Sequence, residues 1–241
     1  MIVYGMNPVL EALRAGRVTV VRVGQRGGGR MQELLALAYE RGVKVQRVEG
    51  QLLDRLARGG VHQGVVADID DSPVDYGVEE LVRGATGPAL IVVLDSVEDP
   101  HNVGAILRTA EAAGVDGVVM QTRRSAALGG AAAKASAGAV AHVKIAQVVN
   151  IARALDELKD VGVWTVGLAD DATTNYDEID FSMPSAIIVG AEGSGLRRLV
   201  REKCDFTARI PMRGQVSSLN VSVAAGIVLF EARRQRERPK A

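Results

Sequence analysis

From Pro88 onward the chain alternates short, wholly apolar runs with longer segments whose apolar residues recur at helical spacing. Leu90-Ile91-Val92-Val93-Leu94 is a continuous apolar run of strand length that ends at Asp95, the pattern of a central parallel strand covered on both faces. Gly117–Met120, Val163–Val166, Ala186–Val189 and Phe206–Ile210 read as further strands. Between them, Val103, Ile106, Leu107 and Ala110, and then Val148, Val149, Ala152 and Leu155, are spaced for one face of a helix. The alternation predicts an α/β domain with a mostly parallel sheet flanked by helices. Ligands bind such sheets beyond the C-terminal strand ends, so the loops at Asp95–Asn102, Gly190–Gly195 and Pro211–Ser218 are where chemistry is expected.

The first part of the chain predicts a small α/β/α unit. Asn7 and Pro8 suit a helix start, Val9, Leu10 and Leu13 give that helix an apolar side, and Gly16 stops it. Val18–Val23 reads as a strand, Met31–Tyr39 as a helix, Val43–Val45 as a strand, Gln51–Ala57 as a helix and Gly64–Asp68 as a strand. Asp68 to Asp75 carries four carboxylates and Pro73 and lacks an apolar period, which marks a boundary. The expected organisation is a domain over 1–68, an acidic linker over 69–87 that holds a short helix at Val78–Leu81, and a second domain over 88–241. Only the Ala/Gly-rich stretch from Ala126 to Ala139 approaches low complexity.

Composition narrows the function classes. With 47% hydrophobic and 24% charged residues the chain is not disordered throughout. Aromatics are only 3%, too few for a broad array of base-stacking platforms. Net charge is zero, which does not advertise nucleic-acid binding, yet the first part is basic: Arg14, Arg17, Arg22, Arg26, Arg30, Arg41, Lys44, Arg47, Arg55 and Arg58 precede acidic Asp68, Asp70, Asp71 and Asp75. That pattern is either a basic binding face or a solvated surface beside an acidic linker. The single Cys204 excludes an internal disulfide and a multi-cysteine zinc site. A leader with an apolar core and an apolar run long enough to span a bilayer are both lacking, so a cytoplasmic protein with no membrane partner is expected.

Each of the three loops carries polar residues with more than one reading. Arg108 falls off its helix's apolar stripe, where its donor fork could grip a phosphate or simply pair with Glu111. Asn102 is a site residue or an N-cap, and His101, without a second ligand, is left out of the chemistry. In Gly190-Ala191-Glu192-Gly193-Ser194-Gly195 the glycines permit close backbone approach, but their spacing is neither the dinucleotide fingerprint nor a Walker loop. Glu192 in that turn would repel a pyrophosphate and suit a cationic or hydroxyl-bearing group; alternatively it caps the next helix. Ser217 or Ser218 is placed to cap the long last helix, whose apolar residues run around almost its whole circumference, and Asn220 reads as a buried amide in need of partners.

On these residues the chain resembles the SpoU (TrmH-like) branch of the SPOUT RNA 2′-O-ribose methyltransferases. The matching stretches are Leu94-Asp95-Ser96-Val97-Glu98-Asp99-Pro100-His101-Asn102-Val103-Gly104-Ala105-Ile106-Leu107-Arg108-Thr109-Ala110, Ile188–Leu196, and Ile210–Ala224. Tyr4–Val9, Val61–Ala67 and Ala135–Ala139 with His142 also look like this branch, so the resemblance spans essentially the whole chain. It implies a trefoil-knotted SPOUT methyltransferase domain over 88–241, an RNA substrate-binding domain resembling ribosomal protein L30e over 1–68, and a homodimer. It further implies S-adenosyl-L-methionine as cofactor, contacted by Gly190, Ile210 and Leu219 with Met212 and Gly193 close by, and no metal. Residues associated with catalysis fall on Asn102, Arg108, Glu192, Ser218 and Asn220.

The implied activity is methylation of a ribose 2′-hydroxyl, of a guanosine in 23S ribosomal RNA. The alternatives are a tRNA or another rRNA nucleotide as substrate, or a noncatalytic RNA-binding ribosome-assembly factor. Because an arginine side chain keeps its proton in water, Arg108 is expected to act as electrostatic organiser and proton relay rather than free base, with a substrate phosphate as acceptor. Glu192, Ser218 and Asn220 would orient the ribose.

Overall fold

A wholly apolar run must be covered on both faces, and Leu90–Asp95 is buried at every position. It is one strand of a computed structural model that describes residues 2–25, 29–69, 76–123, 125–126 and 128–237. Arg26 and the boundary residues Asp70, Asp71, Pro73 and Asp75 lie outside the described residues. In chain order the elements begin with β1 (Ile2–Tyr4), α1 (Met6–Arg14), β2 (Val18–Val23), α2 (Gly29–Glu40), β3 (Lys44–Arg47), α3 (Gly50–Leu56) and β4 (Val65–Ile69). There follow α4 (Val78–Arg83), β5 (Leu90–Asp95), α5 (Pro100–Ala113), β6 (Gly117–Gln121), α6 (Ala131–Ala135), β7 (Ile145–Val148) and α7 (Ile151–Asp160). The last are β8 (Trp164–Leu168), β9 (Thr174–Asn175), β10 (Ser185–Gly190), α8 (Arg198–Lys203), β11 (Phe206–Arg209) and α9 (Val221–Glu237). Among the described residues no helix is long and apolar enough to cross a membrane.

Contacts divide the chain into two compact units. The first draws on Met1–Val74, Val103–Arg108 and Ala127–His142; the second draws on Asp75–Asn102, Thr109–Ala126 and Val143–Ala241. In the first, a four-stranded sheet has the order β1-β4-β2-β3, and only β2 and β3 run parallel. Helix α1 buries Val9, Leu10 and Leu13, the side the sequence marked as apolar. Its cap is not Asn7 but Gly5, whose φ of 94° lies where glycine alone is unstrained. Asn7 sits inside the helix, and its Oδ1 accepts from Arg30 Nη2 at 2.7 Å.

The second unit is an α/β fold with a seven-stranded sheet of order β7-β6-β5-β10-β8-β11-β9, every pairing parallel. Alternate residues of a strand face opposite sides. Ile91, Val93, Ile188 and Val119 accordingly join Ile151, Leu155 and Leu158 of α7 and Leu81 of α4 in one core cluster.

Two expectations are corrected here. Val148 and Val149 do not belong to a helix: Val148 ends β7, Val149 is 82% exposed, and α7 starts only after Asn150, whose side chain accepts from Arg153 N. The isolated apolar pair had mimicked helical spacing because a strand end and a helix start lie only three residues apart. Nor is α9 buried all round. Val221, Ala225, Val228, Leu229 and Ala232 form one buried stripe, while Val223 and Phe230 are about half exposed.

Candidate active site

The site begins where β5 and β10 end side by side, with Asp95 the register partner of Gly190. After Asp95 the chain turns sharply at Ser96, whose φ of 62° is left-handed and costs a non-glycine residue about 1–2 kcal/mol. Asp99 then caps α5, its Oδ1 accepting from His101 N at 2.9 Å, with Pro100 in the first turn. The cap is therefore Asp99, and Asn102 is released from that duty. Asn102 is buried in the first turn, and its Nδ2 donates to Glu192 Oε1 at 2.6 Å and to Asp99 Oδ2 at 3.1 Å.

Glu192 rides on the turn after β10. Ala191 and Gly195 exchange backbone hydrogen bonds of 3.1 and 2.9 Å across it. An added Cβ on Gly190 would lie 2.2 Å from the Gly195 carbonyl carbon, so only glycine lets the turn close this tightly. Glu192 does not cap the following helix, which starts from Arg197 without a side-chain cap.

The third loop arrives through Asn220. Its Oδ1 accepts from Ser222 N at 2.9 Å and Ser222 Oγ at 2.6 Å, which caps α9. Its Nδ2 donates to Glu192 Oε1 at 2.9 Å and to Asn102 Oδ1 at 3.0 Å. Ser217 and Ser218 are exposed and are not the cap, and Asn220 is exposed rather than buried. Each amide both donates and accepts, and one carboxylate oxygen receives two N–H donors, a charge-assisted arrangement stronger than neutral bonds.

Beside this cluster lies a cavity of about 650 Å³. Gly190, Gly193, Ile210, Met212 and Leu219 all line it, as do Glu192, Ser218 and Asn220. Asn102 does not line it and meets it through Glu192 and Asn220. Arg108 is exposed and is not among the lining residues. Among the described residues it forms no ion pair, so the pairing with Glu111 is not made.

Asp170, Asp171 and Arg201 also line the cavity and were missed. The signal was available: two carboxylates follow one residue after the end of strand β8. Arg201 grips Asp171 at 2.9 and 2.8 Å, and its guanidinium hydrogen bond holds the Asp171 carboxyl below the usual range.

In the first unit several of the basic residues are internally engaged. Arg14 bonds Glu11 and Glu33, Arg22 pairs with Asp68 at 2.7 Å, and Arg17 donates to the Val140 and Ala141 carbonyls. Arg14, Arg30, Arg41, Lys44, Arg47, Arg55 and Arg58 are nevertheless exposed, so among the described residues only Arg17 and Arg22 of this basic set are partly buried.

The SpoU rRNA methylase family matches residues 89–230, and the RNA 2'-O ribose methyltransferase substrate-binding family matches residues 2–74. The 23S rRNA (guanosine-2'-O-)-methyltransferase RlmB of Pseudomonas syringae pv. tomato is 45% identical over 239 residues, covering 97% of this chain and 95% of that protein. The protein of the same name from Pseudomonas aeruginosa is 44% identical over 239 residues, with 97% and 96% covered. Among solved structures, the SpoU methyltransferase AviRb from Streptomyces viridochromogenes in complex with AdoMet superposes with a TM-score of 0.81 at 26% identity, covering 98% of this chain and 90% of that one. The AdoMet-bound rRNA methyltransferase from Sinorhizobium meliloti gives 0.79 at 28% identity, with 97% and 86% covered. The family match runs through all three loops that meet at Glu192, and the chain belongs to the SpoU rRNA methylase family.

Proposed function

We propose that the protein is an S-adenosylmethionine-dependent RNA methyltransferase that modifies a ribose 2′-hydroxyl, that of a guanosine in 23S ribosomal RNA. The observation that carries this reading is the meeting of Asn102, Glu192 and Asn220 beside the cavity. The names of the 45% and 44% identical relatives support the substrate.

The cavity's residues fit the cofactor. Its volume falls in the range of about 300–1,000 Å³ usual for small-molecule sites. Leu168, Ile210 and Leu219 offer apolar surface for a base, and the turn at 190–195 offers backbone donors and acceptors. Asp170 and Glu192 suit ammonium, sulfonium and hydroxyl groups and oppose a pyrophosphate. S-adenosylmethionine, when bound, supplies an electrophilic methyl group on a sulfonium.

A ribose hydroxyl is a weak nucleophile, so the protein must align it and receive its proton. Glu192, Ser218 and Asn220 orient the ribose, and Asn102 holds Glu192 in place. Arg108, exposed and without an ion pair among the described residues, organises the negative charge that develops on the 2′-oxygen and relays the proton toward a substrate phosphate. The arrangement we favour is an L30e-like RNA-binding domain over 1–68, an acidic linker over 69–87 and a trefoil-knotted SPOUT domain over 88–241. It works as a homodimer in the cytoplasm.

The test is tritiated methyl transfer from S-adenosylmethionine to large-subunit RNA, with the modified nucleotide mapped and Arg108→Ala in parallel. Incorporation at one guanosine ribose, lost in Arg108→Ala while cofactor binding persists, is the expected result. Incorporation only into tRNA would overturn the substrate, and none into any RNA despite cofactor binding would overturn the enzymatic reading in favour of an RNA-binding scaffold.

A further inference from the structure

Five apolar residues lead into Asp95, and nothing in that pattern calls for a carboxylate at the end of the strand. Yet Asp95 has no exposed surface, and a buried charge persists only where partners compensate its desolvation. Arg197 supplies them. Its backbone N–H donates to Asp95 Oδ2 at 2.8 Å, its Nε to Oδ1 at 2.6 Å, and its Nη2 lies 2.5 Å from Oδ1.

The two residues stand at telling places. Arg197 is the residue from which α8 starts, directly after the turn that carries Glu192. Gly190, at the other end of that turn, is the register partner of Asp95. One leg of the turn is therefore held to β5 by the sheet ladder, and the other leg is tied to the same strand by the Asp95 carboxylate. Ser96, in its left-handed conformation, starts the loop that brings Asn102 to Glu192. Asp95 is thus the common root of two of the three loops that meet at the site.

We infer that Asp95 is a positioning residue for Glu192, acting through Arg197 to set where the Glu192 carboxylate stands relative to Asn102 and Asn220. The inference rests on the methyltransferase reading above. Asp95 has no exposed surface and does not line the cavity.

A double-mutant cycle separates positioning from mere stability. Asp95→Asn keeps the shape and removes the charge; it is expected to lower kcat about tenfold or more with the KM for RNA unchanged. Combined with Glu192→Gln, it is expected to cost nothing further, because the residue through which it acts is already disabled. Arg197→Gln approaches the pair from its partly exposed side, reproduces the kcat loss, and carries the cycle should Asp95→Asn fail to fold. Arg197→Lys restores part of the rate.

Amide exchange supplies a second readout independent of turnover. Ala191 and Gly195 are expected to exchange about tenfold faster in Asp95→Asn, while the α9 amides keep wild-type rates. Losses that multiply in the double variant, or wild-type exchange at Ala191 and Gly195, overturn the inference. The exchange result judges the brace whether or not the wild-type protein methylates RNA, so failure of the enzymatic reading and failure of this one are distinguishable.

Discussion

Replacing Gly190 with alanine tests the geometry of the cavity wall. The added Cβ would stand 2.2 Å from the Gly195 carbonyl carbon, 2.3 Å from its oxygen and 2.4 Å from Leu196 N. Carbon atoms pack at about 3.5–4.0 Å, so the far leg of the turn must withdraw by more than about 1 Å. All three contacts are backbone, and no side chain can swing away to make room. The withdrawal breaks the reciprocal Ala191–Gly195 hydrogen bonds, each worth about 0.5–1.5 kcal/mol net. Overpacking elsewhere adds about 1–3 kcal/mol. The total is about 2–6 kcal/mol, shared between folding and cofactor binding; if 2 kcal/mol falls on binding, affinity drops about 30-fold. Gly193→Ala is the control: nothing lies within 4 Å of its added Cβ, so only its φ of 78° is strained, at about 1–2 kcal/mol. Calorimetric titration with S-adenosylmethionine and thermal melts of both variants decide the matter. Gly190→Ala that binds and melts like wild type, or that is affected less than Gly193→Ala, would refute the reasoning.

Three further outcomes follow from the geometry. Asn102→Ala removes a donor to the Glu192 carboxylate and the acceptor of Asn220; hydrogen bonds to charged groups are worth about 1.5–3 kcal/mol, so kcat should fall about 10- to 150-fold, and an unchanged kcat in methyl transfer would contradict the assigned role. Burial alone would raise the Asp205 carboxyl, but bonds from Lys159 and Thr165 outweigh it and hold it below its ordinary value of 3.8. A lowered folded value means stability that is present above the ordinary value and lost as pH falls through the folded one. Asp205→Asn should therefore flatten the acid limb of Tm plotted from about pH 5 to about pH 2, and an unaltered limb would count against the linkage. Burial pushes the Cys204 thiol up to about 12, so the native protein should react with Ellman's reagent at pH 8 far more slowly than the unfolded chain; equal rates would show that the thiol is not so shielded.

Much of the fold was legible in the chain because strand and helix are local patterns. The run Leu90–Leu94 announced a covered central strand, and all six residues of β5 are buried. Strand ends followed by Asp95, Gly190 and Pro211 marked the loops that do converge, since loops at one edge of a parallel sheet share that edge. Reading failed where two patterns abutted. Val148 and Val149 looked helical only because β7 ends and α7 begins within a few residues. Capping was misassigned at Asn7, Ser217 and Ser218, since which polar side chain turns back onto a helix start depends on the path of the chain before it.

The amino-acid order alone determined most of the element types, the parallel sheet and the strand ends at which a ligand would bind, because hydrophobic period and glycine content act over a few residues. It could not determine that Glu192 would receive Asn102 from 90 residues away and Asn220 from 28. Nor could it show that a carboxylate at the end of an apolar strand would be tied to Arg197 across 102 residues. Those pairings depend on the order β5-β10-β8-β11 in the sheet. Strand order is settled by which apolar faces bury one another best, a property of the packed whole that no local window of sequence contains.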